Sequence, residues 1–309
     1  VKASVCCITY NHEKYIAQAL DGFFLQQTDF DFEIVIADDA SRDGTRSIIE
    51  SYMQRYPGRI NYIRNEPNMG VMPNFTQALK ACRGEYVAIC EGDDYWTDPN
   101  KLQIQSDLLD SKPGISFCFH KAEVYNETEK RVVRVTNENQ QQTEFTTSDL
   151  IEKGWFIMTA SIMFRNSAFN IPEWFSSLKY GDHPLQLLCS LNGNARFIDR
   201  TMSVYRVHNT GITNNFSMVN GYLHTMHVLD LVNRMAGNKF SDAIQKAKSN
   251  GRRLIMEDLA FVMKQQKFLS ASYWKNYRLM LKYANYNQRL HIKYLLRFFF
   301  GKLGYKKAA

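Results

Sequence analysis

The sequence has no run of 18 or more apolar residues, so nothing in it reads as a membrane-spanning helix. None of its six cysteines (Cys6, Cys7, Cys82, Cys90, Cys118 and Cys189) stands in a CxxC pair. Most have apolar neighbours and read as reduced, buried thiols, as expected of a cytoplasmic protein. There is no internal repeat and no low-complexity tract. The first residues, "VKASVCCITYN", enter a strand at once and lack the shape of a signal peptide. Acidic residues are missing from the end of the chain. Asp258 is the last of them, and 11 Lys and Arg follow it, leaving 27 basic against 31 acidic residues in 1–258. The net charge of +7 therefore belongs to the tail. A mildly acidic body argues against nucleic acid as the main ligand.

What is present is a globular α/β pattern. "ASVCCITY" (3–10), "FEIVIADD" (32–39), "INYIRN" (60–65) and "EYVAICEGDD" (85–94) read as strands. Between them, 14–27, 41–56 and 72–82 show helical spacing, with Ser41 or Asp43 as a plausible cap of the second helix. This β-α-β-α-β-α-β order predicts a mostly parallel, Rossmann-like central sheet flanked by helices. Further on, 101–112 and 183–193 read as helices. Strands are expected near 115–126, 130–136, 160–169 and 195–208, with a polar loop over 137–145. From Val219 the pattern is helical. The expected division is a catalytic domain over 1–215 and a helical, basic extension over 216–309.

In a parallel sheet, ligands gather beyond the carboxyl ends of the strands. Three strands end in polar clusters: Asn11 with His12, Asp38 with Asp39, and Glu91 with Asp93 and Asp94. Carboxylates packed so closely repel one another, which makes "CEGDDYWTDPNK" (90–101) the most unusual stretch of the chain.

"VCCITYNHEKYIAQAL", "EIVIADDASRDGT", "NEPNMG", "RGEYVAICEGDDYWTDPNKLQ" and "YRVHNTG" occur in that order. Together they resemble the inverting family 2 glycosyltransferases of bacterial surface-polysaccharide type, which have the GT-A fold. The likeness covers residues 3 to about 215 and leaves out the helical tail. It implies a nucleotide-sugar donor, with UDP-sugars the commonest, a divalent metal (Mn²⁺ or Mg²⁺), and direct transfer to a hydroxyl of a glycan or lipid-linked saccharide.

Residue by residue, the resemblance assigns Thr9, Tyr10, Asn11, Asp38 and Asp39 to the base and ribose of the donor. Carboxylates accept from such groups and Tyr10 can stack, while the plainer role of the two aspartates is to cap the next turn. "CEGDDYW" matches the family's metal motif, since hard cations take oxygen ligands. Glu91 replaces the first Asp of the D-x-D form, which leaves the direct ligand open between Asp93 and Asp94, with Glu91 and Asp93 also expected on the donor. The general base is taken from an acidic pair opening a helix. Here "KYGDHPLQLL" has Gly181 for the glutamate, so Asp182 is the candidate, with helix capping as its plainer role and Glu173 as the fallback. In "VYRVHNTG", Arg206 is expected on phosphate and His208 on the metal or the diphosphate. Arg64 is a further diphosphate candidate, and the loop 209–216 is expected to fold over the donor.

The tail "RLHIKYLLRFFFGKLGYKK" (289–307) carries Arg289, Lys293 and Arg297 at helical spacing beside an aromatic face. It suits an anionic membrane surface, which would make the protein peripheral at the inner face of the plasma membrane; packing on the body or in a homodimer suits it equally. Two other function classes remain in view. A sugar nucleotidyltransferase would carry a Gly-rich basic loop after its first strand, and "TYNHEKYI" is not one. A non-catalytic nucleotide-sugar-binding protein would not need both the Asp pair and Asp182.

Overall fold

The computed structural model describes residues 1–211 and 218–265. These fall into two compact units, one of 1–211 with 232–239 and one of 218–231 with 240–265. The tail stretch 289–307 and most of the 209–216 loop lie outside the described residues.

The first unit begins β1 (Ala3–Thr9), α1 (Ile16–Phe24), β2 (Phe32–Asp38), α2 (Thr45–Arg55), β3 (Ile60–Arg64), α3 (Val71–Ala81) and β4 (Tyr86–Ile89). It continues with β5 (Tyr95–Trp96), α4 (Lys101–Ser111), β6 (Ile115–Asn126), β7 (Arg131–Val135), β8 (Glu144–Phe145), α5 (Thr147–Lys153), β9 (Met163–Arg165), α6 (Asp182–Ser190) and β10 (Asn194–Val207). The strands form one sheet in the order β3-β2-β1-β4-β9-β6-β10-β5, with β7 on β6 and β8 on β10. β1 pairs in parallel with both β2 and β4, and β2 pairs in parallel with β3. The expected mixed α/β fold with a mostly parallel sheet is therefore present.

Every residue of β1 and β2 is buried, as their unbroken apolar runs require of strands covered on both faces. Because β1 to β4 run parallel, their four carboxyl ends open on one edge, where Thr9, Asp38, Arg64 and Ile89 hand the chain to its polar turns. Two of those turns use left-handed backbone: Asn11 has φ 55° and Ala40 has φ 62°. Asn tolerates this through its short polar side chain, whereas Ala bears it at a cost.

Several sequence readings are adjusted. The strand expected over 85–94 is two strands, because Glu91–Asp94 leave the sheet before Tyr95 and Trp96 pair with β10. The strand over 160–169 shrinks to Met163–Arg165, inserted antiparallel between β4 and β6. The polar loop over 137–145 contains β8, and α5 follows it with a capping box built by Thr146 and Asp149. Gly44, not Ser41 or Asp43, is the N-cap of α2, although Asp43 Oδ1 accepts the Thr45 amide at 3.1 Å. In the second unit, α7 (Met218–Met235, its last turn in the first unit) and α8 (Ser241–Gln265) follow the expected helical pattern. There Tyr222 donates to the Lys248 carbonyl and Lys248 pairs with Asp230 at 2.7 Å.

One buried cation lies beneath the sheet edge. Lys101 is fully buried, with Nζ donating to Gln105 Oε1 at 2.6 Å and lying 4.0 Å from the Trp96 ring centroid. Burial pushes its ammonium down to about 7, against partial compensation from Cys90 and Cys118. Between that value and the ordinary lysine range the unfolded chain binds the extra proton, so folding stability rises with pH across this window. Lys101→Met should remove that rise. Urea unfolding at pH 7 and pH 9.5 should show wild-type stability climbing by on the order of 3 kcal/mol more than that of the variant.

Candidate active site

The Glu91–Asp94 turn is built by the backbone. Cys90 and Gly92 amides donate to the Cys6 and Ile8 carbonyls at 3.1 and 2.9 Å, extending the β1 pairing past the strand end. Gly92 is needed there, since a Cβ would lie 2.8 Å from Thr9 Oγ1 and 3.0 Å from His12 Nδ1. The acid cluster is thus pressed against the end of β1 with no room for another side chain.

Asp93 and Asp94 are each satisfied on one oxygen only. Asp93 Oδ2 lies 3.0 Å from His208 Nε2 and 3.6 Å from His12 Nε2, while Asp93 Oδ1 is buried without a hydrogen-bond partner. Asp94 Oδ1 accepts the Arg206 amide at 2.8 Å, while its Oδ2 is likewise buried without a partner. Burial alone would raise Asp93, but His12 and His208 outweigh it and hold the carboxyl below the usual range. Asp94 is pushed well above that range by burial and by Asp93 and Glu91. Glu91 is pushed up to about 8 by burial, Asp93 and Asp182, which places Asp182 within electrostatic reach of the cluster. Metal binding at a carboxylate site is coupled to loss of protons from its ligands.

These donors fit a divalent ion. Two orphaned carboxylate oxygens with an imidazole alongside are hard ligands suited to Mn²⁺ or Mg²⁺. Among the described residues, no three His, Cys, Asp or Glu side chains form a group able to hold an ion by themselves. That matches the mode in which one or two carboxylates share the ion with substrate phosphates.

A cleft of about 260 Å³ opens beside the cluster, lined by Thr9, Tyr10, His12, Asp39, Glu91 and Asp93, with Asn68, Gly70, Val71 and Thr210 among the remaining walls. Tyr10 presents an exposed ring, at 43%. Asp39 holds the opposite wall, accepting the Met69 and Gly70 amides at 2.8 Å each and the Asn65 side-chain amide at 3.1 Å. Thr9 Oγ1 and His12 Nδ1 are buried and unpartnered. A neighbouring groove shares Thr210 and is lined by Asn11, Tyr15, Gln18, Glu127, Arg206 and His208.

Other candidates stand outside the cleft. Asp38 is fully buried, with Oδ1 accepting from the Ser41 amide and hydroxyl at 2.9 and 2.5 Å and Oδ2 from the Tyr62 hydroxyl at 2.8 Å. Its carboxylate ties β2 to β3 and the following turn and does not face a ligand, correcting the expected nucleotide contact. Asn11 Oδ1 is likewise turned to the Arg42 amide at 2.9 Å. Arg206 is also corrected. Its Nε donates to the Asp93 carbonyl at 2.7 Å, its Nη2 to Gln18 at 2.6 Å, and its Nη1 pairs with Glu127. Its guanidinium is layered between Tyr15 and Tyr95, 4.8 and 5.0 Å from their ring centroids. This planar fork clamps the acid turn from below and does not stand ready for phosphate. Arg64 is engaged by Glu66 and lies 3.9 Å from Asp38.

Asp182 is the first residue of α6, and Gly181 is its N-cap, without a side-chain capping bond. The carboxylate is therefore not spent on capping. Trp155 Nε1 donates to Asp182 Oδ2. A Cβ at Gly181 would lie 2.8 Å from Met72 Cε and 3.0 Å from Phe75 Cδ1, so this chain has filled the space of the missing glutamate with apolar packing. Glu173 is exposed, in a short 3₁₀ turn. Tyr15, Gln18, Glu127 and Trp155 are the participants that sequence reasoning missed, and His12 was noted without a role. His12 alone had a signal, its place at a strand end.

The profile of glycosyl transferase family 2 matches residues 4–171. The chain belongs to that family. An uncharacterised protein of Mycobacterium tuberculosis is 40% identical over 217 residues, covering 68% of this chain and 60% of that protein. The chain thus spans less than two thirds of the length of such relatives. Among solved structures, S. aureus TarS in complex with UDP-GlcNAc superposes with a TM-score of 0.65 at 21% identity, covering 87% of this chain and 77% of that one. The Pyrobaculum calidifontis mannosyltransferase in complex with GDP-Man and Mn²⁺ gives 0.54 at 17%, covering 99% and 88%. The family's GT-A fold is therefore the fold of this chain, and divalent metals are common among its members.

The clamp is open to a direct test. Arg206→Lys keeps the charge but loses the fork, so two of the three side-chain hydrogen bonds should go. Chemical unfolding should report a loss of about 1–3 kcal/mol, the scale of leaving buried hydrogen-bond partners unsatisfied.

Proposed function

We propose that this chain moves a sugar from a nucleotide-diphosphate donor, in the first instance a UDP-sugar, to a hydroxyl of a glycan or lipid-linked saccharide, with inversion at the sugar carbon. The observation that carries the reading is the pair of unpartnered carboxylate oxygens on Asp93 and Asp94, buried beside the Tyr10–Asp39 cleft. When bound there by Asp93 with Asp94 or His208, Mn²⁺ or Mg²⁺ supplies positive charge against the departing diphosphate. Tyr10 offers a face for the base, and Asp39 and Thr9 offer polar atoms for base and ribose. Glu91, between the acid pair and Asp182, is assigned to a donor hydroxyl.

Asp182 is the proposed general base. Trp155 engages its Oδ2, and Oδ1 takes the proton of the acceptor hydroxyl as that oxygen bonds to the sugar carbon. The bond to the diphosphate oxygen breaks on the opposite face, which inverts the centre. The basic stretch 289–307 is assigned to an anionic membrane surface at the cytoplasmic side, close to a lipid-linked acceptor.

A thermal-shift screen of UDP-, dTDP- and GDP-sugars with and without Mn²⁺ tests the donor class. One nucleotide class should stabilise the protein in a metal-dependent way, and silence from all of them would remove the reading. Asp182→Asn should retain that stabilisation while transfer falls by roughly two to four orders of magnitude, the usual scale for a lost general base. Near-normal turnover would move the base elsewhere.

A further inference from the structure

Among the large hydrophobic side chains exposed in the described residues, two are aromatic: Tyr10 at 43% and Trp155 at 48%. Tyr10 belongs to the cleft. Trp155 stands apart from it, yet its indole N–H is committed to the candidate base Asp182. An indole ring left half in water is a standing cost in apolar exposure. The chain nevertheless fixes it firmly. Gly154, with φ 71°, ends α5 and turns the chain outward at this position. Ile157 and Met158 then return to the core at 0% and 3% exposure. Asn137 Nδ2 donates to the Phe156 carbonyl at 3.2 Å, and Thr147 Oγ1 ties α5 to the Ser190 carbonyl of α6 at 2.8 Å. The ring thus stands just past the end of α5 and the carboxylate at the start of α6, and those two helices are bonded to each other.

We propose that Trp155 is the platform on which the acceptor saccharide lies. This rests on the reading of Asp182 as base and adds a binding residue for the second substrate. A pyranose has an apolar face of C–H groups and a rim of hydroxyls. The open face of the indole suits the first, and the carboxylate at its edge suits a hydroxyl on the second. Spending the indole N–H on Asp182 serves the same end. The donor is not available to compete for sugar oxygens, so the ring offers stacking alone and leaves the choice of hydroxyl to the carboxylate. Acceptor class follows from this: a pyranose that presents one open C–H face to Trp155.

The test uses the full chain, with Trp155→Leu and Trp155→Phe, and methyl β-glycosides of glucose, galactose, mannose and N-acetylglucosamine as probes. At least one glycoside should shift the tryptophan emission of the wild type in a saturable way. Thermal-shift titration of the same glycoside should be kept by Trp155→Phe, which retains a ring. It should weaken at least ~10-fold in Trp155→Leu, which does not. Wild-type emission unmoved by every glycoside, or Trp155→Leu binding as well as wild type, would overturn the platform. UDP and GDP with Mn²⁺ form the separate arm. Their stabilisation should be equal in all three proteins. If no nucleotide stabilises the wild type, the donor reading fails whatever the glycosides do. If nucleotides act and glycosides do not, only the platform falls.

Discussion

Everything at this site depends on holding three carboxyl groups within four residues at the dry end of a central strand. Repulsion and desolvation both oppose the arrangement. The chain answers with position more than with countercharge. Backbone hydrogen bonds extend the β1–β4 pairing past its end, and the Arg206 amide takes one oxygen of Asp94. The Arg206 guanidinium then grips the carbonyl of Asp93, so it engages the backbone of the turn and leaves one oxygen of each aspartate without a partner. A guanidinium directly on the carboxylates would have been more stable and would have closed the site.

The same logic explains why the long strand β10 matters. It pairs with β6 over nearly its full length and with β5 by Ser203 and Val204, then delivers Arg206 and, one residue past its end, His208 to the cluster. Clamp and imidazole therefore come from one rigid element. The order β4-β9-β6-β10 puts two strands between β4 and β10, so the tight turn after β4 is what returns the chain to meet Arg206.

The parallel half of the fold was legible because its signals are local. Fully buried strands read as unbroken apolar runs, and β1, β2, β3 and their helices fell within a few residues of expectation. β9 was overextended because only Met163–Arg165 pair, with 3₁₀ turns at Thr159–Ser161 and Asn166–Ala168 on either side. The site was legible as a set of strand ends and hardly at all as a set of contacts. Asp38 and Asp39 look equivalent in "IADD", yet one faces Ser41 and Tyr62 and the other lines the cleft. Arg206 reads as a phosphate ligand until Tyr15, Gln18 and Glu127 are seen around it, and no sequence period links those residues. The Trp155–Asp182 contact joins a residue just past α5 to the start of α6, and α5 had not been anticipated.

Gly181 also changes what a ligand meets on approach. Its neighbours Met72 and Phe75 close over the position where the family pattern has a second acid. The mouth of the site therefore carries one negative charge fewer beside a cluster that is already anionic. An incoming diphosphate is itself strongly negative, and the long-range field it crosses is correspondingly less repulsive. On the proposed reading, a lone carboxylate at the helix start gives up a second proton acceptor and eases electrostatic entry of the donor. Capture of the anionic donor should therefore lean less on the surrounding salt.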